Sequence, residues 1–132
     1  MNFSAEHIQR LATETGFRFE ILEKVIRMGE LTADIGRHPF LSRVLALKGG
    51  TALNLMFDSP ARLSVDLDFN YIGQEDRARM QADRPDVERA LGIIGEGQGY
   101  RVQHSRDAHA GRKIYLSYIN LAGTPDRMEI DL

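Results

Sequence analysis

Apolar residues recur at helical spacing through the first part of the chain. In residues 18–36, Leu22 and Ile26 are four positions apart and fall on one face, which is typical of an amphipathic helix that packs on a core. Residues 5–14 carry the pattern of a shorter helix, and Gly16 separates the two segments. The pattern therefore predicts two N-terminal helices.

The segment LSVDLDFNYI, residues 63–72, begins with strict alternation of apolar and polar positions. One face of the predicted strand carries Leu63, Val65, Leu67 and Phe69, and the other carries Ser64, Asp66, Asp68 and Asn70. Two residues that are two positions apart on a strand have Cα atoms about 7 Å apart. The alternation thus predicts a strand with one apolar face and one face that holds two close carboxylates.

The remaining segments complete an α+β domain. Residues 75–95 have helical spacing, but Pro85 lacks a backbone N–H group and predicts that a second helix starts there, after Arg84. Four further strands are predicted at residues 44–47, 100–105, 112–119 and 127–132, with a hairpin turn at 123–126. We expect a mixed or antiparallel sheet flanked by helices.

The last predicted strand offers a third carboxylate. In the final five residues, MEIDL, apolar residues alternate with Glu129 and Asp131, which therefore share the opposite face. If this strand pairs beside the first one, Asp131 completes a cluster of three carboxylates with Asp66 and Asp68. The alternative is an exposed acid near the end of the chain.

Composition limits the class of protein. A chain of 132 residues can bury one modest core, so one domain is expected. The absence of cysteine excludes disulfides, thiolate zinc sites and cysteine nucleophiles, and it favours a reducing compartment, which predicts a cytoplasmic protein. No segment approaches the roughly 18 apolar residues of a membrane span, so no membrane partner is expected. A net charge of -2 still leaves room for a local basic patch that faces nucleic acid.

The paired aspartates predict a metal site. Carboxylates as close as those of Asp66 and Asp68 repel each other unless a cation lies between them. Magnesium suits such a pair because it takes oxygen ligands and is usually held by one or two carboxylates together with substrate phosphates. The alternative is a pair of solvated acids on an exposed strand face, because D-x-D pairs are common by chance.

A pair of glycines lies between a short apolar strand and a helical pattern. At this junction, Gly49, Gly50 and Thr51 can offer free backbone N–H groups and the positive end of a helix to an anion. The glycines let a phosphate approach the backbone, and the Thr51 hydroxyl can cap the helix or contact the phosphate. An ordinary strand-to-helix turn with a threonine cap is the alternative.

Taken together, these segments resemble a known family. LKGGTALNLMF, followed by RLSVDLDFNYIG and the final E-I-D, is similar to the AbiEii/AbiGii toxin-type nucleotidyltransferases of the polymerase-beta-like superfamily. The similarity runs from about Glu20 to the end of the chain, and the ordered combination of motifs is more specific than any single one. The resemblance implies a nucleotidyltransferase-like core with a mixed sheet, bound Mg²⁺ or Mn²⁺, and a nucleoside triphosphate substrate.

The resemblance also implies roles for individual residues. The catalytic residues, which would also hold the metal ions, are Asp66, Asp68 and Asp131. The residues that would bind the nucleotide are Lys48, Gly49, Gly50, Thr51, Arg62 and Ser64. Toxin members of the family transfer nucleotides to an RNA end such as that of tRNA, so an RNA acceptor and a cognate antitoxin are the expected partners.

Members of this family are usually longer and carry a C-terminal helical part that helps to close over the nucleotide and the acceptor. Residues 1–132 are therefore expected to be the catalytic core, an N-terminal portion of a longer protein. The alternative function is that of a non-catalytic module, which binds a nucleotide or an antitoxin and keeps the geometry of the site without the completing half.

Overall fold

The computed structural model of the chain describes residues 4–48, 66–71, 77–105 and 113–132. Within these ranges, residues 46–48, 66–68, 70–71 and 77–83 are described by their backbone alone. The helices in these ranges are α1 (Ala5–Thr15), α2 (Phe19–Arg37), α3 (Leu41–Val44) and α4 (Arg77–Gly97). The strands are β1 (Leu45–Lys48), β2 (Asp66–Tyr71), β3 (Arg101–His104), β4 (Lys113–Ile119) and β5 (Pro125–Asp131).

The two N-terminal helices have the bounds that the apolar spacing predicts, to within one residue. The Ser4 side chain caps α1 by accepting a hydrogen bond from the His7 backbone N–H at 3.2 Å. Gly16 ends α1 in the left-handed region, with φ of 77°, and its N–H group donates to the Ala12 carbonyl oxygen. Glycine suits this position because it adopts a positive φ without steric cost.

The strands form one five-stranded sheet in the order β1-β2-β5-β4-β3. β2 and β5 are parallel, whereas the other neighbouring strands are antiparallel. The expectation of a mixed sheet with flanking helices is therefore confirmed. The last strand in the chain lies in the centre of the sheet and not at its edge.

One face of the sheet is apolar and forms the core together with α2 and α4. Met28 and Leu31 of α2, Leu91 of α4, and Leu116 and Ile130 of the sheet all have relative exposures of 1% or less. Burial of such side chains contributes about 1.5–3 kcal/mol each. The opposite face of the sheet is thereby left for polar residues. None of the helices in the described ranges is long and apolar enough to cross a membrane.

A buried ion pair fixes α2 to the turn between β4 and β5. Glu23 is fully buried, and its Oε2 atom lies 2.9 Å from both Nε and NH2 of Arg27. The other carboxylate oxygen, Oε1, accepts a hydrogen bond from the Leu121 backbone N–H at 2.8 Å. Two-point contact of this kind compensates for much of the cost of removing both charges from water. The pair therefore joins the helix to the hairpin across 98 residues of sequence.

Arg27 also contacts two aromatic side chains, that of Tyr100 just before β3 and that of Tyr118 in β4. Its NH1 group donates to the Tyr100 hydroxyl at 3.2 Å, and its guanidinium lies 4.2 Å from the centroid of the Tyr118 ring. Burial opposes the charge of Arg27, but the hydrogen bonds with Tyr100 and Glu23 outweigh this effect and raise the pKa of Arg27. Arg27 thus stays charged inside the domain.

Pro85 does not divide the helical segment in which it lies. α4 runs without interruption from Arg77 to Gly97, so the predicted start of a second helix after Arg84 is wrong. Pro85 is exposed, and the carbonyl group that loses an N–H donor there can be hydrated by solvent. Val87 and Leu91 are buried, with relative exposures of 2% and 1%, and their packing keeps the helix continuous.

Several strand ends differ from the predicted ones by one or two residues, and two of them have a local cause. Val44 belongs to the short helix α3, and His38 Nδ1 accepts the backbone N–H groups of Phe40 and Leu41 where this helix begins. Pro125 was expected in a turn but is the first residue of β5, where a missing N–H group is tolerated. At both positions the boundary depends on a local interaction, either a side-chain hydrogen bond or the tolerance of a strand end for proline. The spacing of apolar residues does not encode such interactions.

Gly95 marks the closest approach of α4 to the sheet. A Cβ atom at this position would lie 2.8 Å from Cδ2 of Leu116 and 3.2 Å from Cγ2 of Val102. Leu116 is fully buried, so it has little room to move away. Glycine is therefore the residue that lets the helix dock.

We expect Gly95→Ala to lower the melting temperature by roughly 3–8 °C. Overpacking costs about 1–3 kcal/mol, and the better helix propensity of alanine offsets up to about 1 kcal/mol of it. Gly92→Ala is the matched control, because its added Cβ would meet only Val102 at 3.8 Å. Calorimetry should give a Gly92→Ala melting temperature at or above that of the wild type. Equal melting temperatures for both variants would show that the side chains around Gly95 move away from an added Cβ atom at little energetic cost.

Candidate active site

The register between β2 and β5 brings the acidic residues of the two strands together. Asp66 pairs with Glu129 and Asp68 pairs with Asp131 across this parallel contact. Residues that oppose each other on neighbouring strands share a face of the sheet. The pairing on which the third carboxylate depended is therefore present, and it links residues about sixty positions apart in the sequence.

The same row of the sheet carries a lysine position on each side of the two aspartates. Lys48 of β1 pairs with Asp68, and Lys113 of β4 pairs with Asp131. The register thus gives the order Lys48, Asp68, Asp131, Lys113 across four adjacent strands, which we call the central row. A row in which two carboxylate positions lie between two lysine positions suits an anionic substrate that arrives together with a cation.

The side chains of β5 follow the predicted alternation. Met128 and Ile130 are fully buried, whereas the Glu129 and Asp131 side chains keep relative exposures of 24% and 30%. Lys113 Nζ lies 3.6 Å from Asp131 Oδ1 and 3.4 Å from Glu129 Oε2. The charge of Asp131 and the hydrogen bond to Glu129 raise the pKa of Lys113. The two acids and the lysine therefore form one charged cluster on the polar face.

Asp131 has an oxygen that fits a metal ion. Its Oδ1 atom is buried and accepts no hydrogen bond from the residues that the structure describes, although the Lys113 ammonium lies 3.6 Å away. A buried carboxylate oxygen without a hydrogen bond is costly, and a bound cation would remove that cost. Magnesium and manganese take carboxylate oxygens as ligands, so the donor set of Asp66, Asp68 and Asp131 fits either ion.

The side chains that the structure describes contain no group of three or more histidine or acidic residues that could hold a metal. Asp66 and Asp68 are outside that set, because β2 is described there by its backbone alone. Their register beside Asp131 is therefore the observation that bears on a metal site.

The predicted nucleotide-binding residues divide into two groups. Lys48 is the last residue of β1 and lies in the central row. The others lie outside the described residues: Gly49, Gly50, Thr51, Arg62 and Ser64. Their roles stay predictions.

Two residues of the cluster were not among the predicted site residues. Glu129 shares a strand face with Asp131, and for Lys113, which opens a strand, the sequence left contact with a triphosphate or RNA and a solvated strand end as equal alternatives. The alternation in residues 113–119 is the signal that could have placed Lys113 on the polar side. The alternation did not reveal that β4 pairs with β5 in a register that sets Lys113 opposite Asp131.

The whole arrangement lies within a stretch that matches a known family. Residues 34–132 match the family described as Nucleotidyl transferase AbiEii toxin, Type IV TA system. The chain belongs to this family. No significant match was found among curated proteins or among solved structures.

Membership in the AbiEii family confirms the resemblance that the ordered motifs carry. The matched stretch begins in the last turn of α2 and includes all the strands described above, so it contains Asp66, Asp68 and Asp131. The family is one of nucleotidyl transferase toxins from toxin–antitoxin systems. The reaction class and the toxin–antitoxin setting follow from this membership.

Proposed function

We propose that residues 1–132 form the catalytic core of a metal-dependent AbiEii-type nucleotidyltransferase. In this proposal the protein moves a nucleoside monophosphate from a nucleoside triphosphate to a hydroxyl group of an RNA acceptor such as tRNA. It acts as the toxin of a toxin–antitoxin pair, in the cytoplasm, and a cognate antitoxin restrains it. The register of Asp66 and Asp68 beside Asp131 carries the proposal, and membership in the AbiEii family supports it. We further propose that the core is polymerase-beta-like.

The three carboxylates would hold one or two divalent ions, Mg²⁺ or Mn²⁺. Such ions, when bound, neutralise the triphosphate and lower the pKa of the attacking hydroxyl group. Because Asp66 and Asp68 are two positions apart on one strand, and Asp131 pairs with Asp68, the backbone fixes all three in one neighbourhood. This preorganisation is what phosphoryl transfer needs, since it depends on position and charge.

The basic and glycine residues would bind the nucleotide. Backbone N–H groups at Gly49, Gly50 and Thr51 suit the phosphate chain, and Lys48 lies at the end of β1 opposite Asp68. Arg62 and Ser64 would contact the same phosphates. Transfer forms a bond between the acceptor oxygen and the α-phosphorus and breaks the bond from that phosphorus to the bridging oxygen. Pyrophosphate leaves, and the hydroxyl proton passes to solvent.

Lys113 has a supporting role in this scheme. Its ammonium group lies beside Asp131 and Glu129, and it offsets part of their negative charge on the polar face. The approach of a triphosphate to three or four carboxylates is unfavourable without such cations. Lys113 therefore makes the acidic row accessible to an anionic substrate.

Ligand-induced stabilisation tests the proposal directly. We expect nucleoside triphosphate with magnesium to raise the melting temperature by several degrees, because a ligand at 100 times its Kd stabilises by about 2.7 kcal/mol. The same nucleotide with EDTA should give little change. Stabilisation that is equal with and without magnesium would contradict the metal-dependent site.

A transfer assay separates the enzyme from a non-catalytic module. The protein is incubated with total RNA, magnesium and each labelled nucleoside triphosphate in turn, and incorporation into RNA is measured on a denaturing gel. We expect label in a discrete RNA band with at least one nucleotide. Magnesium-dependent nucleotide binding without incorporation would instead support a module that binds a nucleotide or an antitoxin.

A further inference from the structure

The polar face of the sheet continues beyond the carboxylates into an open groove of about 980 Å³. Its lining includes Arg101 of β3, Ser117 of β4 and Arg127 of β5. These three residues are register partners across neighbouring strands, so they lie in one row on one face. Arg127 is two residues before Glu129 on β5, and the groove therefore begins about 7 Å along the strand from the acidic cluster.

The charge of this groove is positive. Arg101 is exposed and forms no ion pair within the described part of the chain, and the Arg127 side chain is 60% exposed. The Arg127 side chain lies 3.5 Å from the Glu129 carboxylate. The acid in the lining, Asp126, is already paired with Lys24 at 3.0 Å. The groove thus carries two arginine positions whose Cα atoms are about two strand spacings, or roughly 10 Å, apart.

An aromatic ring lies between the groove and the acidic cluster. The Arg127 guanidinium lies 4.5 Å from the centroid of the Tyr115 ring, and Tyr115 pairs with Glu129 across β4 and β5. The ring is half-buried, so one part of it stays accessible. A guanidinium stacked on an aromatic ring forms a flat surface on which a base can stack.

We propose that this groove binds a single-stranded segment of RNA, with Arg101 and Arg127 on its phosphates and the Tyr115–Arg127 stack beneath a base. Positive grooves with an adjacent aromatic surface are the general solution for unpaired nucleic acid, because the charges hold the backbone and the ring stacks on a base. This inference rests on the proposed transfer to RNA. It adds the path by which the acceptor reaches Asp66, Asp68 and Asp131.

The test measures binding without catalysis. A fluorescein-labelled single-stranded RNA of about 12 nucleotides is titrated with the 132-residue chain in EDTA, and the anisotropy gives Kd at several salt concentrations. We expect Arg101→Gln with Arg127→Gln to weaken binding roughly tenfold or more. The slope of log Kd against log salt should fall by about 1.4, since each phosphate contact to a single strand contributes about 0.7.

Arg37→Gln with Arg89→Gln is the matched control. Arg37 and Arg89 are 71% and 70% exposed on α2 and α4, which pack on the other side of the sheet, and their replacement removes the same two charges. Its Kd should stay within twofold of the wild-type value, and its salt slope should stay within about 0.3 of the wild-type slope. Equal effects of the control and the double variant would overturn the proposal, because overall charge would then explain the binding. Melting temperatures of all variants confirm that each is folded.

Three further outcomes separate the groove, its ligand and the reaction. Poly-glutamate that displaces the RNA at equal charge concentration would overturn the assignment to nucleic acid and would indicate an acidic protein partner. Transfer that proceeds with an unchanged KM for RNA in the double variant would overturn the groove but not the proposed function. If RNA binding depends on Arg101 and Arg127 but the protein has no transfer activity, the RNA-binding role of the groove would be supported and the proposed function would be contradicted.

Discussion

Replacing Asp68 with asparagine is expected to lower nucleotide transfer by at least roughly 100-fold while it leaves the fold intact. Asparagine keeps the size of the side chain but removes one negative charge from the row in which Asp68 pairs with Asp131. A bound metal supplies several kcal/mol of transition-state stabilisation, and each 1.36 kcal/mol is a tenfold change in rate. The measurement is incorporation of labelled nucleotide by the full-length protein, wild type and variant side by side.

Stability gives the second readout for this variant. Without magnesium, Asp68→Asn should melt at or slightly above the wild-type temperature, because Asp66 and Asp131 lose a like-charged neighbour. Asp86→Asn is the control, since Asp86 lies 62% exposed on α4, away from the polar face. It should change neither quantity. Undiminished incorporation by Asp68→Asn would rule out the metal role, and a large loss of melting temperature would assign Asp68 a structural one.

Arg27→Met is expected to be the most destabilising single substitution among those considered. It leaves the Glu23 carboxylate fully buried without its partner, which typically costs about 3–5 kcal/mol. For a domain of this size the melting temperature should fall by about 10–20 °C. Calorimetry or chemical denaturation measures the change. Transfer activity per folded molecule should be unaffected, because the pair lies on the helix-covered side of the sheet.

The double variant Glu23→Leu with Arg27→Met separates the pair from its parts. With both charges removed, the remaining loss should be smaller than that of Arg27→Met alone, even though the Leu121 amide loses its acceptor. Arg37→Met is the matched control on the same helix, because Arg37 is 71% exposed and pairs with Asp34 at the surface. We expect it to cost less than about 1 kcal/mol. Losses that simply add in the double variant would show that Glu23 and Arg27 are not coupled.

The sequence predicted most of the elements because their signals are local. Helical spacing predicted the bounds of α1 and α2 to within one residue, and alternation predicted the strands that contain Asp68 and Asp131. The error at Pro85 has a tertiary cause, since the burial of Val87 outweighs a local preference for a break. Local signals are reliable where packing agrees with them and fail where packing decides otherwise.

The candidate site was only partly predictable. Alternation put Asp66, Asp68 and Asp131 on polar strand faces, but it could not decide that β2 and β5 are neighbours, because strand order depends on packing across the whole domain. The ion pair of Glu23 and Arg27 has the spacing of an ordinary surface pair, four residues apart on a helix. Its burial depends on the hairpin that covers it. The groove beside Arg127 likewise exists only once three strands are assembled.

The central place of β5 gives the order of assembly a chemical consequence. Strands that follow one another along the described chain form two units, β1–β2 and β3–β4–β5, whereas the contact of β5 with β2 closes a loop of about sixty residues and joins the two units. Closing a loop of this length is one of the slow steps of folding. A chain in which β5 has not docked has neither a continuous sheet nor Asp131 beside Asp68. In the proposed mechanism a partly folded chain therefore lacks its third carboxylate, and nucleotide transfer requires the complete sheet.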